Sequence, residues 1–267
     1  MTEPFDIIIL AGQSNAVGHG CGETDYQFRH LSDVWLLDDE QPEGYTRNQN
    51  DEEILIIQEP WKIRMRSAEN IDVKSLAGRF ADSYIESGNL QPRRKILIVC
   101  CAAGGTGFCK KQWGIGNLLY RRMIDLTDYA RKLHPENKIV AFLWHQGECD
   151  AFENPDWSAE MRYQTYYRDL KEQVLSVRER YHEPQLPFLC GGFTEDWAKD
   201  NREPCNAIYK ANKQICQEIG NAQFIESTGL LSNNEILGNG DSTHFCKQAT
   251  LELGYRYFRA YAEMMSL

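Results

Sequence analysis

Continuous apolar runs recur along the chain: FDIIIL at 5–10, DVWLL at 33–37, ILII at 54–57, KILIVCC at 95–101, KIVAFLW at 138–144, PFLCGGF at 187–193 and QFIES at 223–227. Several are unbroken rather than alternating, which is the pattern of strands covered on both faces. Between them lie amphipathic stretches of helical length, at 75–87, 117–133, 157–182, 204–219 and 246–264. Strand and helix in alternation predict a parallel sheet with helices on both faces and right-handed crossovers, a three-layer doubly wound α/β fold. The segment DDEQPEGYTRNQNDEE at 38–53 is polar and acidic and reads as a long surface loop. Neither an internal repeat nor a Pro/Gly-rich linker divides the 267 residues, so one domain over 1–267 is expected.

In sheets of this kind ligands bind outside the carboxyl ends of the strands, so the residues just after each strand are the place to look for chemistry. The first strand runs into Gly12-Gln13-Ser14-Asn15. A serine at a turn into a helix exposes its hydroxyl and has an N–H without an intrahelical acceptor, so it can be both nucleophile and oxyanion donor; taken alone it reads as a helix cap. KILIVCC runs into AAGGTG at 102–107, where Gly104 or Gly105 can bring a backbone N–H close to a ligand. That turn is not a phosphate loop, because no GK[ST] follows it. KIVAFLW runs into His145-Gln146-Gly147-Glu148. The Gln146 amide can donate without titrating, which suits a fixed oxyanion donor, while His145 and Glu148 read as a structural hydrogen-bonded pair. Near the C-terminus GNGDSTHF at 238–245 sets Asp241 three residues before His244, within one turn's reach. There a carboxylate can hold one ring nitrogen protonated and leave the other free to accept a serine proton. Each signal has an ordinary structural reading; a nucleophile, two donors and an acid–base pair at the same sheet edge together point to acyl transfer.

Charge removes whole classes of partner. The net charge of −10 disfavours nucleic acid and anionic membrane surfaces and leaves a small neutral or locally complemented substrate. The longest apolar run, ILIVCCAA at 96–103, is far below the roughly 20 residues that span a bilayer. The opening MTEP has no positive segment of a secretory signal, and a cytoplasmic protein is expected. Nine cysteines without CxxC spacing read as reduced thiols, several inside strands or helices, and the HxC of His19 and Cys21 lacks a second ligand pair for zinc.

GQSN at 12–15, GGT at 104–106, WHQGE at 144–148 and DSTH at 241–244, spread over nearly the whole chain, resemble the SGNH or GDSL-like hydrolase superfamily. Within it they are similar to the sialate O-acetylesterase and acetylxylan esterase group, carbohydrate esterase family six. The resemblance implies a flavodoxin-like SGNH hydrolase fold. It also implies Ser14 as nucleophile, His244 as general base and Asp241 as its orienting carboxylate. The oxyanion hole it implies comprises the Ser14 and Gly105 amides and the Gln146 side chain, and the chemistry needs no cofactor and no metal. Ser242-Thr243 stand where relatives often have glycine, yet the spacing from Asp to His is kept. The implied substrate is a small acetylated carbohydrate, of sialic acid or xylo-oligosaccharide type. The alternatives are a lipid or thioester hydrolase or acyltransferase of the same superfamily, and a carbohydrate-binding relative without catalysis. Trp61, Trp113, Phe108 and Trp197 are sugar-stacking candidates or core residues, and Arg64 and Arg66 of WKIRMR are candidates to meet an anionic sugar or are solvated charges.

Overall fold

The computed structural model describes residues 3–39, 45–47, 53–57 and 59–266. Its strands are β1 (Phe5–Gly12), β2 (Val34–Asp39), β3 (Tyr45–Arg47), β4 (Glu53–Leu55), β5 (Ile63–Ser67), β6 (Lys95–Cys100), β7 (Lys138–His145), β8 (Phe188–Gly191) and β9 (Ala222–Ile225). The α-helices are α1 (Ser14–Val17), α2 (Leu76–Glu86), α3 (Leu118–Lys132), α4 (Glu148–Phe152), α5 (Ala159–Arg180), α6 (Glu195–Ala198), α7 (Arg202–Ile219), α8 (Asn233–Leu237) and α9 (Lys247–Met264).

Seven strands form one sheet in the order β5-β2-β6-β1-β7-β8-β9. All neighbours are parallel except β5, which runs antiparallel to β2 at the edge. The β1 strand sits centrally and is buried along its length, as its unbroken apolar run requires. Alternate β1 residues serve opposite layers. Ile7, Ile9 and Ala11 pack in a core with α3, α5 and α7. Ile8 and Leu10 pack in the other core with α2 and α9. This is the doubly wound three-layer α/β fold expected of the chain.

Two elements differ from expectation. The run ILII at 54–57 lies outside the main sheet: Ile54 and Leu55 belong to β4, which pairs with β3 in a separate two-stranded sheet. The 38–53 segment is accordingly not all loop, since Asp38 and Asp39 end β2 and 45–47 and 53 are strand; its remaining residues lie outside the described ones. Conversely β5 arises from IRMRS, whose alternation of apolar and basic residues suits an edge strand. Arg64 lies opposite Asp38 in the ladder and binds it, Nε to Oδ1 at 2.6 Å. Among the described residues, no helix is long and apolar enough to cross a membrane.

Candidate active site

The central strand delivers Ser14 to the carboxyl edge. Gly12 ends β1 at φ 131°, and a Cβ there would stand 2.1 Å from the His145 carbonyl oxygen, so only glycine fits between the strands. The chain is then tied on both sides: Gln13 N donates to His145 O at 3.0 Å, and Ala103 N donates to Gly12 O at 3.0 Å. Ser14 follows as the first residue of α1, so its N–H has no intrahelical acceptor. The turn after β6 lies against it: a Cβ placed on Gly104 would stand 3.8 Å from the Ser14 Cβ.

The DSTH segment arrives from the far end of the chain. His244 Nε2 lies 2.8 Å from Ser14 Oγ, and both Asp241 carboxylate oxygens lie 2.9 Å from His244 Nδ1. The carboxylate also accepts from His244 N at 3.2 Å and from Asn233 Nδ2 at 2.8 Å. Burial raises the Asp241 carboxyl, but the hydrogen bonds from Asn233 and His244 outweigh it and hold the group below its ordinary value, as a carboxylate. An acceptor at Nδ1 fixes the proton there and turns the bare Nε2 toward the serine. The His19 ring stacks on His244 with centroids 5.3 Å apart.

Asn15, next to the serine, holds the histidine segment in place. Its Nδ2 donates to Thr243 O at 3.1 Å and to Glu148 Oε1 at 2.6 Å, and its Oδ1 accepts from Phe245 N at 3.1 Å. It therefore grips both neighbours of His244. The residue types in GQSN carried this signal, but only the fold shows what Asn15 touches.

His145 and Glu148 do not form the pair expected from their spacing. The Tyr257 hydroxyl donates to Trp144 O at 2.9 Å and so accepts from His145 Nδ1–H at 3.0 Å. Burial pushes the imidazole down to about 3, so it is neutral and structural. They miss each other because β7 ends at His145 and Glu148 begins a new helix that turns toward Asn15.

Glu148 is buried, with Oε2 unpartnered among the described residues, and burial pushes its carboxyl up from 4.5 to about 7. The folded state thus holds a proton that the unfolded chain releases. Stability is fullest below pH 4.5 and is lost as pH rises toward 7, then levels, by on the order of 3 kcal/mol. Glu148→Gln keeps an acceptor for Asn15 and cannot ionise. Urea unfolding at pH 5 and pH 8 should show the variant gaining on the parent by roughly that amount at the higher pH; equal differences at both would mean that Glu148 does not titrate in this window.

Gln146 is also buried, but its nitrogen faces into the protein. Nε2 lies 2.7 Å from Asp150 Oδ2, 2.9 Å from Thr106 O and 3.1 Å from Gln13 Oε1, three acceptors for two protons, while Oε1 has no partner among the described residues. Asp150 in turn accepts from the Phe108 and Cys109 amides and anchors the turn after Gly105. A groove of about 300 Å³ opens beside the serine, lined by Gln13, Gly105, Glu148, Phe152, Trp197 and Thr243. Trp113 and Phe108 are core residues at 1% and 3% exposure, and Trp61 is tied to Asp125, so of the four aromatic candidates only Trp197 lines the groove; Phe152, 70% exposed, is an addition that its lone position after WHQGE did not signal. Arg64 and Arg66 line a different cavity, about 360 Å³, beside β2, where both bind Asp38. Among the described residues no three His, Cys, Asp or Glu side chains gather as metal ligands, and all nine cysteines are free thiols.

The doubly wound sheet sets Ser14, His244 and Asp241 in a hydrogen-bonded line at its carboxyl edge. The model of the carbohydrate esterase, sialic acid-specific acetylesterase family matches residues 4–263, and the chain belongs to that family. It is a carboxylic ester hydrolase acting on carbohydrate. A probable carbohydrate esterase of Arabidopsis thaliana is 26% identical over 97% of this chain and 90% of its own. A probable 9-O-acetyl-N-acetylneuraminic acid deacetylase of Escherichia coli is 26% identical over 43% of this chain and 40% of its own. The crystal structure of NanS has the same fold, with a TM-score of 0.71 at 19% identity over 99% of this chain and 98% of its own.

Proposed function

We propose that the protein removes O-acetyl groups from small acetylated sugars, of sialic acid or xylo-oligosaccharide type, through a triad of Ser14, His244 and Asp241. The contact that supports this reading best is the 2.8 Å approach of His244 Nε2 to Ser14 Oγ, with Asp241 at Nδ1. Ser14 Oγ attacks the acetyl carbonyl as its proton passes to Nε2. The carbonyl electron pair moves to oxygen, which receives the Ser14 and Gly105 amides and a side-chain donor from the Gln13–Gln146 amide pair. The tetrahedral intermediate collapses, the sugar oxygen leaves with the proton from His244, and water releases acetate by the same steps. The polar side chains of Gln13 and Glu148 beside Trp197 in the groove suit an acetyl group on a polar sugar better than a long acyl chain.

The test is acetate release from O-acetylated sialic acid, acetylated xylo-oligosaccharides and a glucose ester, beside a long-chain ester. At least one sugar ester should turn over faster than the long-chain ester. Preference for the long chain would replace this reading with a lipid hydrolase.

A further inference from the structure

The neighbour of the proposed nucleophile has a feature that its structural bonds leave unexplained. Gln13 is 3% exposed. Its Oε1 accepts from Cys149 N at 3.1 Å and Gln146 Nε2 at 3.1 Å, and Gly147 N points at it from 3.5 Å. Every group around that oxygen is a donor, so the amide is fixed in one orientation; turned over, its NH₂ would face three N–H groups. Its Nε2 has no acceptor among the described residues, and it is not among the sealed, unpartnered atoms, whereas Gln146 Oε1 is. Gln13 also lines the groove beside Gly105 and Thr243, which Gln146 does not.

We propose that Gln13 Nε2 is the side-chain donor to the oxyanion, and that Gln146 is a positioning residue that holds it there. This rests on the serine esterase reading. Gln13 immediately precedes Ser14, so a donor on it moves with the nucleophile. The N-terminal amides of α4 and the Gln146 NH₂ clamp the acceptor end, so the donor end is set before substrate arrives, the condition under which a hydrogen bond contributes most to a developing charge. Gln146 has two protons and three acceptors of its own, and forming a bond to the oxyanion would require it to give up Thr106 O or Asp150.

The experiment uses 4-nitrophenyl acetate and a trifluoromethyl ketone, which adds the serine oxygen to its carbonyl and so forms an oxyanion. Gln13→Glu retains an oxygen for Cys149 N and deletes the donor; Gln13→Met, similar in size and neutral, serves if the carboxylate does not fold. Either should lower kcat by about 10²–10³ with KM nearly unchanged, and weaken the ketone by a comparable factor. Gln146→Ala should cost less, and Gln13→Met/Gln146→Ala should be no worse than Gln13→Met, because Gln146 acts through Gln13. Near-parental kcat and ketone affinity in both Gln13 variants, with the large loss falling on Gln146→Ala, would overturn the proposal and leave the esterase reading standing. An active Ser14→Ala protein would instead remove the esterase reading beneath it.

Discussion

Ser14→Ala is expected to fold like the parent and lose turnover by up to about 10⁶-fold, the scale of nucleophile removal in serine hydrolases. The fold should survive because the change deletes one oxygen whose bonding partner in the protein is the His244 ring, and alanine suits the first turn of a helix. The loss should be large because, among the described residues, Ser14 Oγ is the group hydrogen-bonded to His244 Nε2. A fluorophosphonate probe followed by peptide mass analysis checks the assignment directly. Label should fall on the peptide containing Ser14 and vanish in the variant. Label on another residue of active protein, or an alanine variant that still turns over, would show that Ser14 is not the nucleophile.

The sheet was legible in the sequence because strands covered on both faces must be apolar throughout, and FDIIIL, KILIVCC and KIVAFLW are. The edge strand β5 was not, since a strand with one open face mixes Ile63 and Met65 with Arg64 and Arg66, and that mixture also reads as a basic loop. At the candidate site, the meeting of Ser14, Asp241 and His244 was legible because the proposed chemistry restricts residue type and spacing together. Their supports were not. Asn15 reaches Thr243 and Phe245 across some 230 positions, and no local pattern encodes a contact at that separation. Glutamine presents the same difficulty in another form: Gln13 and Gln146 each have one donor and one acceptor end, and which end faces a substrate depends on surrounding backbone groups that only the fold supplies. The opening motif is therefore more than a proposed nucleophile with flanking residues. Gln13 ties it to HQGE and Asn15 ties it to DSTHF, so each residue flanking the serine holds a distant segment by hydrogen bonds.

Asp241→Asn is expected to keep the fold and lower kcat by on the order of 10⁴-fold, as loss of the orienting carboxylate does in serine proteases. The geometry explains why an isosteric change should cost so much. One Asp241 oxygen accepts from His244 N and the other from Asn233 Nδ2, while both lie 2.9 Å from Nδ1. An asparagine must set its NH₂ against one of those donors. Facing Nδ1, that NH₂ makes the ring nitrogen an acceptor and shifts the proton to Nε2, which then points an N–H at Ser14 Oγ and cannot take its proton. Facing away, it leaves a neutral carbonyl that stabilises the imidazolium of the transition state far less than a carboxylate does. Hydrogen bonds from Asn233 and His244 outweigh burial and hold the Asp241 carboxyl below its ordinary value, and a general base must be unprotonated to act, so acid should silence the parent. Initial rates across pH with an acetyl ester whose leaving group does not titrate should therefore rise from acid to a plateau in the parent. In the variant the plateau itself should be lower by the factor above, with fluorophosphonate labelling slowed and Ser14 still the labelled residue. A variant that reaches the parental plateau would take Asp241 out of the mechanism, and an unchanged acid limb in an active His244→Ala protein would take out the base.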